Sequence, residues 1–257
     1  MKLSVVIPAH NEDACIETTI DNLVTILRAE YIDFEILAIN DNSVDQTESI
    51  LERWSAIHPE VRYLNNSYHK GFGFAVRTGL ENFTGDAVAI VMADGSDDPH
   101  DVVKFFRKLE EGYDCVFGSR FMEGGKTYDY PQFKLILNRL FNLFIRILFV
   151  LRYNDVTNAF KMYRHETIAG LKPFLSHHFN LTVELPLKAI TRGYSYAVLP
   201  NSWTNRKTGE SKLKIKEMGS RYLFIVLYCL IEKWLSVGDY MKDKQRAIPA
   251  KKNKTSK

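Results

Sequence analysis

The 257-residue chain is long enough for one large α/β domain, or one domain with an appendage, and its 46% hydrophobic content is ample for a core. A formal charge of +3, from 34 Lys and Arg against 31 Asp and Glu, is too small to point to nucleic acid as a partner. Cys15, Cys115 and Cys229 are odd in number and far apart, which excludes a disulfide framework and a zinc motif and predicts a reducing compartment.

Met1-Lys2 leads into a short strand-like run closed by Pro8, so no signal peptide is expected and the predicted location is cytoplasmic. Leu3 to Ile7 reads as a strand. Glu12 to Arg28 carries Ile16, Ile20, Leu23, Val24 and Leu27 at helical spacing. The pattern repeats as strand Phe34–Asn40, helix Asp45–Ile57, strand Val61–Leu64 and helix Gly71–Asn82. Strand Ala87–Met92, helix Val102–Glu111 and strand Cys115–Gly118 complete it. Such alternation predicts a doubly wound, mostly parallel sheet with helices on both faces.

Polar residues follow the strands: Pro8-Ala9-His10-Asn11-Glu12 after the first, Asp41-Asn42-Ser43 after the second, and Ser119-Arg120 after the fifth. Ligands of open parallel sheets lie at the carboxyl ends of the strands, so these clusters share one rim and describe a site. Taken singly, Glu12 and Asp41 also fit helix caps, and Arg120 a solvated charge. No glycine occupies the first strand–helix turn, which excludes a dinucleotide fingerprint, and a phosphate-binding P-loop motif is also missing.

The fourth strand empties into Asp94, Asp97 and Asp98, three carboxylates within five residues. Clustered carboxylates repel unless a cation joins them. Hard oxygen ligands favour Mg²⁺ or Mn²⁺, with a substrate diphosphate completing the coordination. The competing reading is an acidic turn that caps the helix beginning at Pro99.

The second half is different. From Lys134 to Tyr153 there are no acids, while Lys134, Arg139, Arg146 and Arg152 punctuate a Leu-, Phe- and Ile-rich run. This suits either a helix at a membrane surface or a core helix with solvated cations. Tyr222 to Ile231 is ten apolar residues, short of the roughly 20 that cross hydrocarbon, so the chain is expected to be peripheral. Residues 239–257 are expected to be a Lys-rich, disordered tail, leaving 1–238 as the folded domain. His177-His178 and Trp54, Trp203 and Trp234 read as structural residues.

The order of motifs resembles family 2 glycosyltransferases, specifically the dolichyl/polyprenyl-phosphate sugar synthases of the dolichol-phosphate mannosyltransferase-like group. The resemblance rests on Val6 to Glu12, Asp41 to Thr47, Val116 to Phe121, Asp155 to Lys161, Glu184 to Leu187 and Arg206 to Lys212. That family's metal loop usually reads Asp-x-Asp-x-Gln before an acidic or His residue and Pro. Here Ala93 and Gly95 stand at the two Asp positions, Asp94 lies between them, and Asp97 takes the Gln position.

The resemblance implies a GT-A fold with basic amphipathic interface helices. Residues 1–121 would form the nucleotide-sugar half and 122–238 the acceptor and membrane-facing half. It implies inverting transfer of a hexose from GDP-mannose or a UDP-hexose to a polyprenyl or dolichyl phosphate. Asp94 and Asp97 would hold Mg²⁺ or Mn²⁺, and Arg120 would act with them on the growing diphosphate charge. Pro8, Ala9, Glu12 and Asp41 would face the nucleotide. Lys134, Asn138, Arg139, Arg206 and Lys212 would grip the lipid phosphate, since positioning an anion requires cations. The protein would sit peripherally on the cytoplasmic face of a membrane, with a membrane-anchoring partner as a further expectation. Two other classes stay open: a glycosyltransferase extending a glycan hydroxyl, with Asp97 or Asp98 as base, and a non-catalytic nucleotide-sugar or lipid-binding module.

Overall fold

Strands that are apolar at nearly every position need cover on both sides. The computed structural model, which describes residues 1–205, 215–236 and 238–242, provides that cover. β1 (Lys2–Ala9), β2 (Asp33–Asn40), β3 (Val61–Asn65), β4 (Ala87–Ile90) and β5 (Cys115–Ser119) alternate with α1 (Ile16–Ala29), α2 (Thr47–Ile57), α3 (Phe72–Asn82) and α4 (Pro99–Glu110). α1 buries Ile16, Ile20, Leu23, Val24 and Leu27, the apolar stripe expected from its spacing.

The second half adds β6 (Lys126–Tyr128), α5 (Gln132–Phe149), β7 (Lys161–Arg164), α6 (His165–Gly170), α7 (Leu181–Thr191), β8 (Tyr196–Pro200), β9 (Ser202–Thr204) and α8 (Ile215–Leu235). The sheet has seven strands in the order β3-β2-β1-β4-β7-β5-β8. β1 pairs in parallel with β2 and β4, and β5 with β8, whereas β7 runs antiparallel between β4 and β5. One core layer packs α1, α2 and α4 on the sheet, and the other packs α3, α5, α7 and α8. β6 and β9 form a separate two-stranded ribbon. None of β6 to β9 is legible in the sequence: they are three to five residues long, and β7 carries a buried lysine.

α5 is amphipathic in an unusual sense. Asn142, Ile145 and Phe149 face inward, while Phe133, Ile136, Leu140, Leu143 and Ile147 are exposed. α8 lies beside it: the Phe141 and Tyr222 rings are 5.4 Å apart, and Lys233 Nζ donates to Phe149 O at 3.3 Å. α8 likewise leaves Phe224, Leu227, Ile231, Trp234 and Leu235 exposed. Among the described residues no helix is long and apolar enough to cross a membrane.

Residues 239–242, which the sequence places in a Lys-rich tail, contact the rest of the domain. Lys242 donates from its backbone to Arg192 O at 2.8 Å and pairs with Asp114 at 2.7 Å, so residues 239–242 belong to the folded body. The rest of that tail lies outside the described residues.

Candidate active site

The carboxyl ends of β1 and β2 are laced together. Asp41 N donates to Ala9 O at 2.7 Å, and the His10 ring bonds Asp41 O at 2.8 Å. Asn11 Oδ1 accepts from Val44 N, and Glu12 N donates to Thr47 Oγ1 at 2.8 Å. Asn11 and Asn42 turn the chain at φ 51° and 56°, left-handed values that Asn tolerates better than most residues. Pro8, Ala9, Glu12 and Asp41 are thus gathered on one rim. The Asp41 carboxylate also reaches the next loop, accepting from Asn66 Nδ2 at 2.7 Å and from Gly71 N at 2.9 Å. A carboxylate has about four acceptor positions, so it retains capacity for a ligand N–H or O–H. If Asp41 faces the nucleotide, Asp41→Ala is expected to weaken nucleoside diphosphate binding about tenfold or more by calorimetry, because it would remove a ligand acceptor and release the 66–71 loop together.

After β4 the chain turns at Gly95, φ 67°. Ser96 N donates to Asp94 Oδ1 at 3.1 Å, and Met92 N to Asp97 Oδ2 at 3.0 Å. Asp98 takes the capping role: its Oδ1 accepts from His100 N at 2.9 Å and Pro99 begins α4. Asp101 is spent as well, on Lys104 Nζ and Ser202 N.

Asp97 is the odd member. It is only 8% exposed, and burial pushes its carboxyl up to about 7. The Met92 N–H and the Arg120 charge oppose that rise, while the Asp94 and Asp101 charges reinforce it. A buried carboxylate so poorly compensated suits a cation. Among the described residues no three His, Cys, Asp or Glu side chains converge on a metal position. The protein would therefore offer two carboxylates, Asp94 and Asp97. That donor set fits Mg²⁺ or Mn²⁺ completed by substrate phosphate oxygens and water.

Arg120 lies behind this loop, buried and locked. Its Nε and NH2 donate to the two Asp155 oxygens at 2.8 Å each, and its backbone N donates to Asp155 Oδ2 at 2.9 Å. Burial opposes the guanidinium charge, but the Asp155 carboxylate outweighs it and raises the pKa further. The rings of Phe121, Tyr130 and Trp203 surround the guanidinium at 5.2, 5.7 and 5.9 Å. Trp203 also forms a β-bridge with Asp97, and Thr204 N donates to Ser96 O at 3.0 Å, so the β6–β9 ribbon is pinned to the acidic loop. Trp203 is therefore next to the site rather than in remote packing. Lys161 is buried close by, its ammonium donating to the Val156 and Asn158 carbonyls, and burial lowers its pKa to about 7.

The expected phosphate clamp is only partly assembled by the described residues. Asn138 is committed to Thr157 Oγ1 at 3.0 Å and to Asn142 at 2.8 Å. Lys134 is half-buried and Arg139 is exposed over the Phe121 ring at 4.8 Å, and among the described residues neither pairs with a carboxylate. Arg206 and Lys212 lie outside the described residues. Asp155 opens the Asp155–Lys161 motif, but no site role is expected for it from the sequence; the structure gives it one, as the bidentate partner of Arg120.

The fold is similar to that of glucosyl-3-phosphoglycerate synthase from Mycobacterium tuberculosis, solved with Mn²⁺, uridine diphosphate and phosphoglyceric acid. The TM-score is 0.66 at 20% identity, covering 90% of this chain and 78% of that one. This is the GT-A arrangement. In sequence the chain is 28% identical over 221 residues to the dolichol-phosphate mannosyltransferase of Pyrococcus furiosus, covering 84% of this chain and 60% of that protein. It is also 28% identical over 218 residues to the polyprenol monophosphomannose synthase of Mycolicibacterium smegmatis, covering 81% and 80%. The chain thus spans less than two thirds of the first relative and most of the second. Residues 4–171 match the model of the family described as glycosyl transferase family 2, and the chain belongs to that family.

Proposed function

We propose that this protein transfers a hexose from a nucleotide-sugar to a polyprenyl phosphate, with inversion, at the surface of a membrane. The observation that carries the reading is the position of Lys134 and Arg139. These cations lack carboxylate partners among the described residues, and they stand on a helix whose next faces are exposed and apolar. A ligand that is a dianion on a hydrocarbon chain matches both features. The two relatives named for phosphorylated polyprenols support the same choice.

In the reaction proposed, an acceptor phosphate oxygen bonds to the anomeric carbon as the bond from that carbon to the donor diphosphate breaks. The electron pair stays on the departing diphosphate. A phosphate monoester has a second pKa near 6 and is largely dianionic at neutral pH, so no strong base is needed. Asp94 and Asp97 would hold Mg²⁺ or Mn²⁺, which when bound stabilises the departing diphosphate charge. The Mn²⁺ and Mg²⁺ found with the neighbour of like fold support a divalent metal in general. Arg120, oriented by Asp155 and shielded by three rings, would add a fixed positive charge there. The exposed apolar residues of α5 and α8, with Lys134, Arg139 and Arg146, would seat the protein on an anionic cytoplasmic leaflet, or against a membrane-anchoring partner.

A hydroxyl acceptor is the second reading. One feature favours it: burial pushes the Asp97 carboxyl up to about 7, the strength expected of a general base. Asp98 is a poorer choice, since it caps α4. The test is Lys134→Ala with a short, water-soluble prenyl phosphate. Its acceptor KM should rise about tenfold or more with donor KM near normal, the loss of one charged hydrogen bond. Unchanged acceptor kinetics would contradict the phosphate reading.

A further inference from the structure

The loop between β3 and α3 is held from two sides. On its own side, Asn66 Nδ2 donates to Asp41 Oδ1 at 2.7 Å, while Asn66 Oδ1 accepts from Tyr68 N at 3.1 Å and Thr78 Oγ1 at 3.0 Å. On the other side, Gly71 to Phe74 lie against residues 177–179, from the second half of the chain. Phe74 N donates to His177 O at 3.3 Å, the Phe74 and His177 rings stack at 4.5 Å and 10°, and Phe72 stacks on Phe179 at 4.2 Å. The approach is close enough to need glycine. A Cβ on Gly71 would lie 2.8 Å from His177 O, and one on Gly73 2.5 Å from His177 C.

A carboxylate in α7 fixes the segment that His177 belongs to. Glu184, fully buried, accepts from Leu175 N at 2.8 Å and Ser176 N at 2.7 Å. Lys188 Nζ pairs with it at 2.6 Å and also donates to Pro173 O. Hydrogen bonds to an ionised carboxylate are shorter and stronger than neutral ones, so residues 173–176 are held in one place. A continuous set of contacts thus runs from Glu184 through His177 to Gly71, whose N–H donates to Asp41 Oδ2 at 2.9 Å.

We infer that Glu184 and His177 are positioning residues for the donor nucleotide: they brace the second half of the chain against Gly71 to Phe74 and so keep the Gly71 N–H on Asp41. This rests on the nucleotide-sugar reading above, with Asp41 facing the nucleotide, and adds that the nucleotide side is completed from the other half. Without the brace, Asp41 keeps its charge but loses a donor that fixes its carboxylate, and the nucleotide must order the loop on binding.

Truncating Glu184 alone leaves Lys188 buried without its carboxylate, so the charge-balanced Glu184→Gln/Lys188→Met is used instead. It is compared with His177→Ala, His177→Phe, Asp41→Asn and the double variant His177→Ala/Asp41→Asn. Calorimetric affinity for GDP and UDP with Mn²⁺ is measured beside donor and prenyl-phosphate KM, kcat and melting point. His177→Ala should raise nucleoside diphosphate Kd and donor KM about tenfold, with saturating kcat, acceptor KM and melting point near wild type. His177→Phe keeps a stacked ring and should bind normally. Glu184→Gln/Lys188→Met should show the same loss on the donor side. The double variant should be no worse than Asp41→Asn alone, because His177 acts through Asp41. Unchanged nucleotide affinity in His177→Ala, multiplying effects in the double variant, or an acceptor KM that rises as much as the donor KM would overturn the inference. If Asp41→Asn binds GDP and UDP as the wild type does, the reading beneath it fails as well, a result visible in that single variant.

Discussion

Asp97→Asn should lower hexose transfer by about 10² or more and, at the same time, make the metal-free protein more stable. The two effects share one cause, a carboxylate buried beside Asp94 and Asp101 with little to offset it. Its folded pKa, about 7, lies above the ordinary 3.8, so the folded state binds a proton more tightly than the unfolded chain. The contribution is favourable below about pH 4 and is lost as pH rises to about 7. At pH 8 without metal the ionised group therefore destabilises the fold, on the order of 2–4 kcal/mol. Asparagine keeps an oxygen for the Met92 N–H and removes the charge. Thermal melts at pH 5 and pH 8, with and without Mn²⁺, check this. The wild type should lose stability toward pH 8 and regain it with Mn²⁺, and Asp97→Asn should do neither. Asp94→Asn should share the loss of transfer, while Asp98→Asn should be milder, since Asp98 caps α4. Full transfer by Asp94→Asn and Asp97→Asn in the presence of EDTA would remove the metal assignment.

Arg120→Ala should reduce kcat by about 10²–10³ with donor affinity changed much less, because its charge matters most where diphosphate charge grows. The same substitution leaves Asp155, fully buried, without its bidentate partner. Breaking a buried pair from one side costs about 3–5 kcal/mol, so the melting point should fall as well. Asp155→Asn separates the two consequences. It keeps a polar acceptor for the Arg120 side chain but frees the guanidinium to reorient, so turnover should drop further than stability. A rise in donor KM alone in Arg120→Ala, with kcat intact, would place Arg120 in ground-state binding instead.

Much of the first half of the fold is written in local patterns. The strand of Phe34 to Asn40 and the helix of Gly71 to Asn82 differ from β2 and α3 by one residue at a single end. Their side chains decide the matter locally: continuous apolar runs for strands, a 3.6-residue stripe for helices. β7 was hidden because its place between β4 and β5 is a long-range pairing, and Lys161 and Arg164 give it no apolar alternation. The rim positions of Glu12, Asp41, Asp94 and Asp97 were legible because each follows a strand. The partners that tune them were not. Nothing in the spacing of Arg120 and Asp155, or of Asp97 and Trp203, announces that the chain brings them together. Exposure of both α5 and α8 likewise needed the structure, since a Leu- and Phe-rich helix looks the same buried or bare.

The most direct test of the central claim is an acceptor competition with the wild-type protein and Mn²⁺. A panel of GDP- and UDP-hexoses radiolabelled in the sugar is offered a short prenyl phosphate and a free glycan at equal concentration. The account predicts label in a prenyl-phosphate hexose of inverted configuration, with at least about tenfold preference over the glycan and loss of product with EDTA. Label transferred chiefly to the glycan hydroxyl would contradict it.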